Sequence, residues 1–233
     1  MTMARPVKDS NEAILTRAIS VFRSAGYEGA SLSRLSEASG LKRASLYHRF
    51  PGGKEEIAAE TLRALSRWID AQIIQPLRRP GDPRKRLETA AAAFDTLFDN
   101  GRDASIIALF GTPDTTPEPL VEGAQRLLLG IISAIGAVLE EAGFSGDDAR
   151  TRAVRGMVLL EGAVAVARTF RDPAPFRATL ATWPDDLLTN GQAIASPAPQ
   201  PDQPAPKPAS EEPPSDVRKA VARHLAALRA ARP

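Results

Sequence analysis

The apolar positions of the first sixty residues recur at three- and four-residue intervals and break at glycines. Ile14, Ala18, Val21, Phe22 and Ala25 form one helical stripe. Leu32, Leu35 and Ala38 form a second, and Leu41 and Leu46 face the same core from a third segment. Gly26 and Gly40 follow the first two helices, where a left-handed residue commonly closes the last turn. Ser10 and Ser31 stand where a side-chain oxygen accepts from an orphaned amide of the first turn. The stretch SLSRLSEASGLKRASLYHRFPGGK, Ser31 to Lys54, therefore reads as a helix, a glycine turn and a short second helix. That is the layout of a DNA-reading helix-turn-helix.

The pattern stays helical beyond this point. Glu55 to Gln75 predicts one long helix, ended by Pro76 and the turn residues RRPGDP. Arg84 to Asn100 follows with Leu87, Ala91, Phe94 and Phe98 on one face, stopped by Asn100 and Gly101. Further helices are expected over Asp103–Phe110, Leu120–Ala142, Asp147–Phe170 and Pro175–Leu188, and no stretch carries a convincing two-residue alternation. The fold class is all-α: a three-helix domain over residues 1–53, then a helical domain over 54–191. From Ala193 to Pro214 eight prolines alternate with small and polar residues, which marks 192–214 as an extended linker. Residues 215–233 predict a basic amphipathic helix capped by Ser215, with Val217, Val221, Leu225 and Leu228 in a stripe. Its five basic residues face one acid, Asp216, and its role stays open between gripping DNA, docking elsewhere and simple solvation.

Within the helix-turn-helix, the residues left outward on the short second helix are Lys42, Arg43, Ala44, Ser45, Tyr47 and His48. An arginine donates two hydrogen bonds to guanine in the major groove, and a small alanine permits close approach and contact with a thymine methyl. Base reading is therefore assigned to Arg43, Ala44 and Ser45. Ser31 can donate to a phosphate while still capping its helix. The window from Leu41 to Lys54 holds Lys42, Arg43, Arg49 and Lys54 with no acid, a local charge that attracts phosphate.

The order of Phe22, Gly26, Tyr27, Ser31, Leu35, Ala38, Gly40, Leu46, Tyr47, Phe50 and Lys54 resembles the amino-terminal domain of the TetR family of bacterial transcriptional regulators. The run FPGGKEE, Phe50 to Glu56, is similar to the subgroup related to the LmrA and YxaF repressors. The resemblance covers roughly residues 10 to 65. It implies that Tyr47, His48 and Lys54 contact phosphate, with Lys54 at the start of a helix whose amides and dipole add to the attraction. It also implies a helical effector domain, a linking helix that transmits a tilt to the reader, and a dimer formed by the last two helices as a four-helix bundle. The position before the first basic residue is often a capping serine or threonine in the family. Here it is Lys42, which loses a cap and adds a charge.

Composition narrows the picture. The chain has 233 residues, 43% of them hydrophobic, enough for one substantial core beyond a small reader. The lack of cysteine fits a reducing cytoplasm. No segment is expected to be long and apolar enough to span a bilayer, and the start MTMARPVKDSNEA lacks the apolar core of a signal peptide. A net charge of +2 argues against a general polyanion binder and for a local patch duplicated in a homodimer. With two histidines, His48 and His224, and no cysteine, the usual nucleophile–base and transition-metal sets cannot be assembled. No catalytic residue, metal or cofactor is therefore expected. The expected partners are a double-stranded DNA operator, a small-molecule effector and a second copy of the chain.

Two features bear on the effector and the dimer. The run MVLLEGAVAVA, Met157 to Ala167, is apolar nearly all round and needs cover on most sides. Packing between protomers would supply it, with Gly156, Gly162, Ala163 and Ala165 permitting close approach. Glu161 is the lone charge in that run, to be paired with Arg155, Arg168 or a backbone amide, or else to meet a ligand's donor group. Trp68, Phe94, Phe98, Phe110 and Met157 are candidates for an apolar effector pocket. The reading is a ligand-responsive repressor. A ligand-independent architectural DNA-binding protein is the alternative, with a helical enzyme well behind it.

Overall fold

Ser10 Oγ accepts from the Ala13 amide at 3.2 Å and Ser31 Oγ from the Arg34 amide at 3.3 Å. These caps start α1 (Asn11–Gly29) and α2 (Leu32–Ser39) where the serines stand. The computed structural model describes residues 10–189; the expected linker over 192–214 and basic helix over 215–233 lie outside them. Gly26, at φ 69°, interrupts α1, and Gly40 closes α2 in the left-handed region. The third helix, α3 (Arg43–Arg49), starts at Lys42 with no side-chain cap bond. Ile14, Phe22, Leu35, Leu46 and Phe50 meet in the core between these helices. Ala38 is exposed, contrary to expectation, and Ser39 is buried in its place. The seven-residue step from Leu32 to Ser39 comes closer to two whole turns than the six-residue step to Ala38. The buried Ser39 hydroxyl is satisfied by donating to Ser36 O at 3.0 Å.

Pro76 does not end the linking helix. Helix α4 (Gly53–Ile69) passes into a π turn over Asp70–Ile74 and resumes as α5 (Gln75–Arg78), with Pro76 in its first turn. A proline inside a regular helix has no amide to give and crowds the carbonyl four residues back. The wider π turn lies immediately before it, where Gln75 N–H reaches Asp70 O five residues back. The chain then turns through Gly81 into α6 (Pro83–Leu97), capped by Asp82.

The remaining elements are α7 (Ile106–Phe110), a 3-10 turn at Pro113–Thr115, α8 (Glu118–Glu141), α9 (Gly146–Phe170) and α10 (Ala174–Leu188). Among the described residues there is no strand. One hydrophobic core runs from Ile14 to Leu187. Within it α8 packs on α9, α9 on α10, α10 on α6, and α7 joins α8 to α1. Helix α4, which begins at Gly53, packs on both α1 and α8. Helix α8 revises one expectation: its 24 residues are long and apolar enough to cross a membrane by length and composition. That apolar character is used inside the protein, where Ile131, Ile135, Val138 and Leu139 are fully buried.

Helix α9 divides its apolar residues between two faces. Met157, Leu160, Ala163, Val164 and Ala167 point inward, whereas Val154, Val158, Gly162, Ala165 and Val166 point outward. Gly156 and Ala163 therefore do not serve an outer surface. A Cβ on Gly156 would lie 2.9 Å from Leu187 Cδ2 and 3.1 Å from Trp183 Nε1. Trp183 Nε1 donates to Gly156 O at 3.0 Å, so this glycine lets α10 approach within one protomer.

Candidate DNA interface

The fold carries Lys42, Arg43, Ala44, Ser45, Tyr47 and His48 together to solvent, on α3 and the residue before it. Leu46, 2% exposed, and Phe50 anchor the opposite side of that helix in the core. The spacing that buries Leu46 is thus what presents its neighbours outward. Ser31 is exposed at the start of α2.

Two of the expected DNA contacts have intramolecular partners in the free chain. Arg43 Nη2 donates to Ser33 Oγ on α2. Lys54 is half-buried: Nζ lies 4.1 Å from the centroid of the Tyr27 ring and donates to Tyr27 O at 3.2 Å. Burial, with the nearby carboxylates Glu55 and Glu28, pushes the Tyr27 phenol above its ordinary pKa and keeps it neutral under that cation. The start of α4 is closed by Gly52 N–H donating to Glu56 Oε2 at 2.7 Å. Tyr47 is 48% exposed, and its ring runs along Gly53, where a Cβ would stand 3.5 Å from Tyr47 Cε1.

Ser10 and Asn11, at the start of α1, stand at the edge of the exposed face of α3. Ser10 and Asn11 line one open concavity with Leu41, Ala44, Ser45, His48 and Arg49. Arg49 Nη1 donates to Asn11 Oδ1 at 3.4 Å, across 38 residues of sequence. Nothing in local spacing announces that contact, since it follows from the angle at which α1 and α3 pack.

The expected effector residues are distributed differently. Phe94, Phe98 and Phe110 are buried to 1% exposure or less, and Met157 is 3% exposed. Phe94 stacks with Phe98 and meets Trp183 edge-on, Phe98 meets Phe176, and Phe110 meets Phe22. Trp68 is half-buried and lines an open groove with Leu15, Ile19 and Arg23. Glu161 has neither of the arginines expected for it in hydrogen-bond contact. Its Oε1 accepts from Ser105 Oγ at 2.8 Å, and Ser105 Oγ in turn accepts from the Ala108 amide at 3.1 Å as the cap of α7. Burial raises the Glu161 pKa, and the Ser105 bond opposes that rise. Among the described residues no group of His, Cys, Asp and Glu could hold a metal ion.

A short exposed basic helix held over a helical body defines a helix-turn-helix DNA-binding protein. Residues 14–61 match the family described as bacterial regulatory proteins, tetR family, and residues 88–182 match the C-terminal domain described as LmrA/YxaF-like transcriptional regulator. The chain is 26% identical over 182 residues to the HTH-type transcriptional regulator LmrA of Bacillus subtilis, spanning 77% of this chain and 97% of that one. It is 27% identical over 170 residues to YxaF of the same organism, an uncharacterized HTH-type transcriptional regulator, spanning 72% and 89%. A TetR regulator from Legionella pneumophila shares the fold with a TM-score of 0.69 at 20% identity, covering 78% of this chain and 98% of that one. A Rhodococcus regulator aligns with a TM-score of 0.62 at 26% identity, over 77% and 96%. The chain belongs to the TetR family of bacterial transcriptional regulators, and it is a DNA-binding regulator rather than a member of an enzyme family.

Proposed function

We propose that this regulator is a cytoplasmic repressor that binds a palindromic operator as a homodimer and is released by a small, largely apolar effector. The observation that carries the DNA half is the joint exposure of Arg43, Ala44 and Ser45 on a helix whose other side is locked in the core. These three read bases, while Ser31, Lys42, Tyr47, His48 and Lys54 contact phosphate. Lys54 exchanges its place on Tyr27 for a phosphate oxygen when DNA arrives, and bound to DNA the protein resides on the nucleoid.

The dimer half is supported by the outward face of α9, where Val154, Val158 and Val166 are 40%, 64% and 42% exposed. Small and β-branched side chains at near-helical spacing leave a flat apolar strip that a two-fold partner covers, together with α10. A symmetric dimer sets two α3 helices against one inverted repeat. The effector acts in the body, where Trp68 lines an open groove and Phe94, Phe98, Phe110, Met157 and Glu161 would have to part from their packing to meet it. It favours a dimer with wrongly spaced readers and lowers operator affinity by its differential affinity for the two states.

Selection of bound duplexes from a random pool tests this reading. The intact chain should enrich an inverted repeat, and Arg43→Ala should lose about tenfold or more in affinity and relax one position of each half-site. Enrichment of no motif, or of a motif indifferent to Arg43, would overturn it.

A further inference from the structure

The open groove beside Trp68 is walled by three parts of the molecule at once. Ile19 and Arg23 come from α1 of the reader, Arg67 and Trp68 from the linking helix α4, and Leu97 and Asp103 from the end of α6 and the loop after it. It holds about 970 Å³, room for a small molecule. Its polar groups are unevenly satisfied. Arg23 pairs with Asp103 and donates through Nη2 to Leu97 O at 2.7 Å, yet its buried Nε has no hydrogen-bond partner among the described residues. Burial pushes the Arg23 guanidinium below its ordinary pKa, and Asp103 and Asp99 restore only part of that loss. Arg67 is exposed and acts on Glu60 through space, but it hydrogen-bonds to nothing among the described residues. The acids of the lining are better placed. Glu60 accepts from Arg63 at 2.8 Å, Asp103 has Arg23, and Glu12 stands in the first turn of α1, where the helix dipole favours it.

We infer that this groove binds a small planar organic anion, its ring against Trp68 and its carboxylate shared between Arg67 and Arg23. The inference rests on the reading of the protein as an effector-released repressor, and it gives that effector a place and a chemical class. A planar ring gains apolar contact on the half-buried indole. The carboxylate supplies acceptors to two guanidiniums whose donors are not all used. Arg23 is also a tie between reader and body, through Asp103 and Leu97 O. A carboxylate at Arg23 competes with Asp103 for the same donors, so the occupant loosens that tie and wedges α1 away from the end of α6. The reader then moves against the body while the aromatic core, with Phe94 and Phe98 at 1% exposure or less, stays closed. Operator affinity falls by the difference in the ligand's affinity for the two arrangements.

The test compares 1-naphthoate with 1-naphthalenemethanol and 1-naphthylmethylamine, which keep the ring and replace the negative charge with none and with a positive one. In calorimetric titration the intact chain should bind naphthoate about tenfold more tightly than the alcohol, and the amine most weakly. Arg67→Gln should lose about tenfold for naphthoate and little for the alcohol. Trp68→Leu should weaken naphthoate and alcohol alike, by about fivefold. Melting temperatures equal to that of the intact chain check that neither change acts through folding. On the operator recovered by selection, naphthoate should lower the affinity of the intact chain about fivefold or more, and about tenfold more naphthoate should be needed to do the same to Arg67→Gln. If naphthoate binds no better than the alcohol, or binds both variants as it binds the intact chain, the groove assignment is overturned while the repressor reading stands. Charge-selective binding that leaves operator affinity unchanged would overturn the coupling to the reader. If the intact chain recovers no operator, the repressor reading fails, and the titrations by themselves still decide the groove.

Discussion

A Cβ on Gly101 would stand 2.6 Å from Phe176 Cβ, and Gly101 sits at φ 82°. An alanine there meets a backbone conformation that L residues avoid and an atom too close to the main chain to rotate away. Gly101→Ala should cost about 3 kcal/mol in urea unfolding, loosening the start of α10 from the end of α6. Glu161 constrains in another way, because burial lifts its folded pKa above the ordinary 4.5. The native state then holds a proton that the unfolded chain has lost, so this residue's contribution to stability falls as pH rises from about 4.5 through the raised value. Glu161→Gln keeps an acceptor for Ser105 and removes the titration. Its unfolding free energy should depend less on pH across that window than the intact chain's, and identical profiles would refute the assignment. The identity of Glu161 as the lone charge of its apolar run was legible in the sequence; Ser105 as its partner was not, because 56 residues separate them.

Among the elements, α7 packs on both α1 and α8, and its first turn has a single side-chain cap. Ser105 holds its first turn, and Phe110 at its other end meets Phe22 at 5.2 Å and Tyr27 at 6.3 Å between ring centroids. Each such edge-on pair contributes about 1 kcal/mol beyond burial. Arg23 adds a second tie, pairing with Asp103 and donating to Leu97 O at 2.7 Å. Ser105→Ala removes the cap at a cost of about 1 kcal/mol and leaves Glu161 without its donor. Hydrogen exchange should quicken in α7 and in the part of α1 that Phe110 covers, while α9 and α10 keep their protection. The caps at Ser10 and Ser31 and the exposed stripe of α3 follow from local spacing and were read correctly. Pro76 does not stop the linking helix, because a π turn, invisible in the apolar period, precedes it. One residue of slip in the eight-residue α2 exchanges the buried position from Ala38 to Ser39.

For the whole molecule, the outward strip of α9 sets the test. Val158 is 64% exposed in the protomer, so Val158→Asp should change the stability of an isolated protomer by less than about 0.5 kcal/mol. In a dimer that buries this strip the same change places a charge in an apolar interface. Sedimentation should then show monomers at concentrations where the intact chain is dimeric, and operator affinity should fall by more than tenfold, because one reader sees only one half-site. Unaltered sedimentation would move the interface elsewhere. By itself the sequence determined the helical class, the three-helix reader, the exposed set on α3 and the resemblance to TetR regulators, since all of these rest on caps, periods and residue types within one or two turns. Tertiary structure alone decided that Gly156 serves α10 rather than a partner, that Lys54 rests on Tyr27, that Glu161 meets Ser105, and that the start of α1 lies beside α3. Those facts depend on the angles and distances at which remote helices pack, and a one-dimensional pattern carries each helix's faces but not which face meets which.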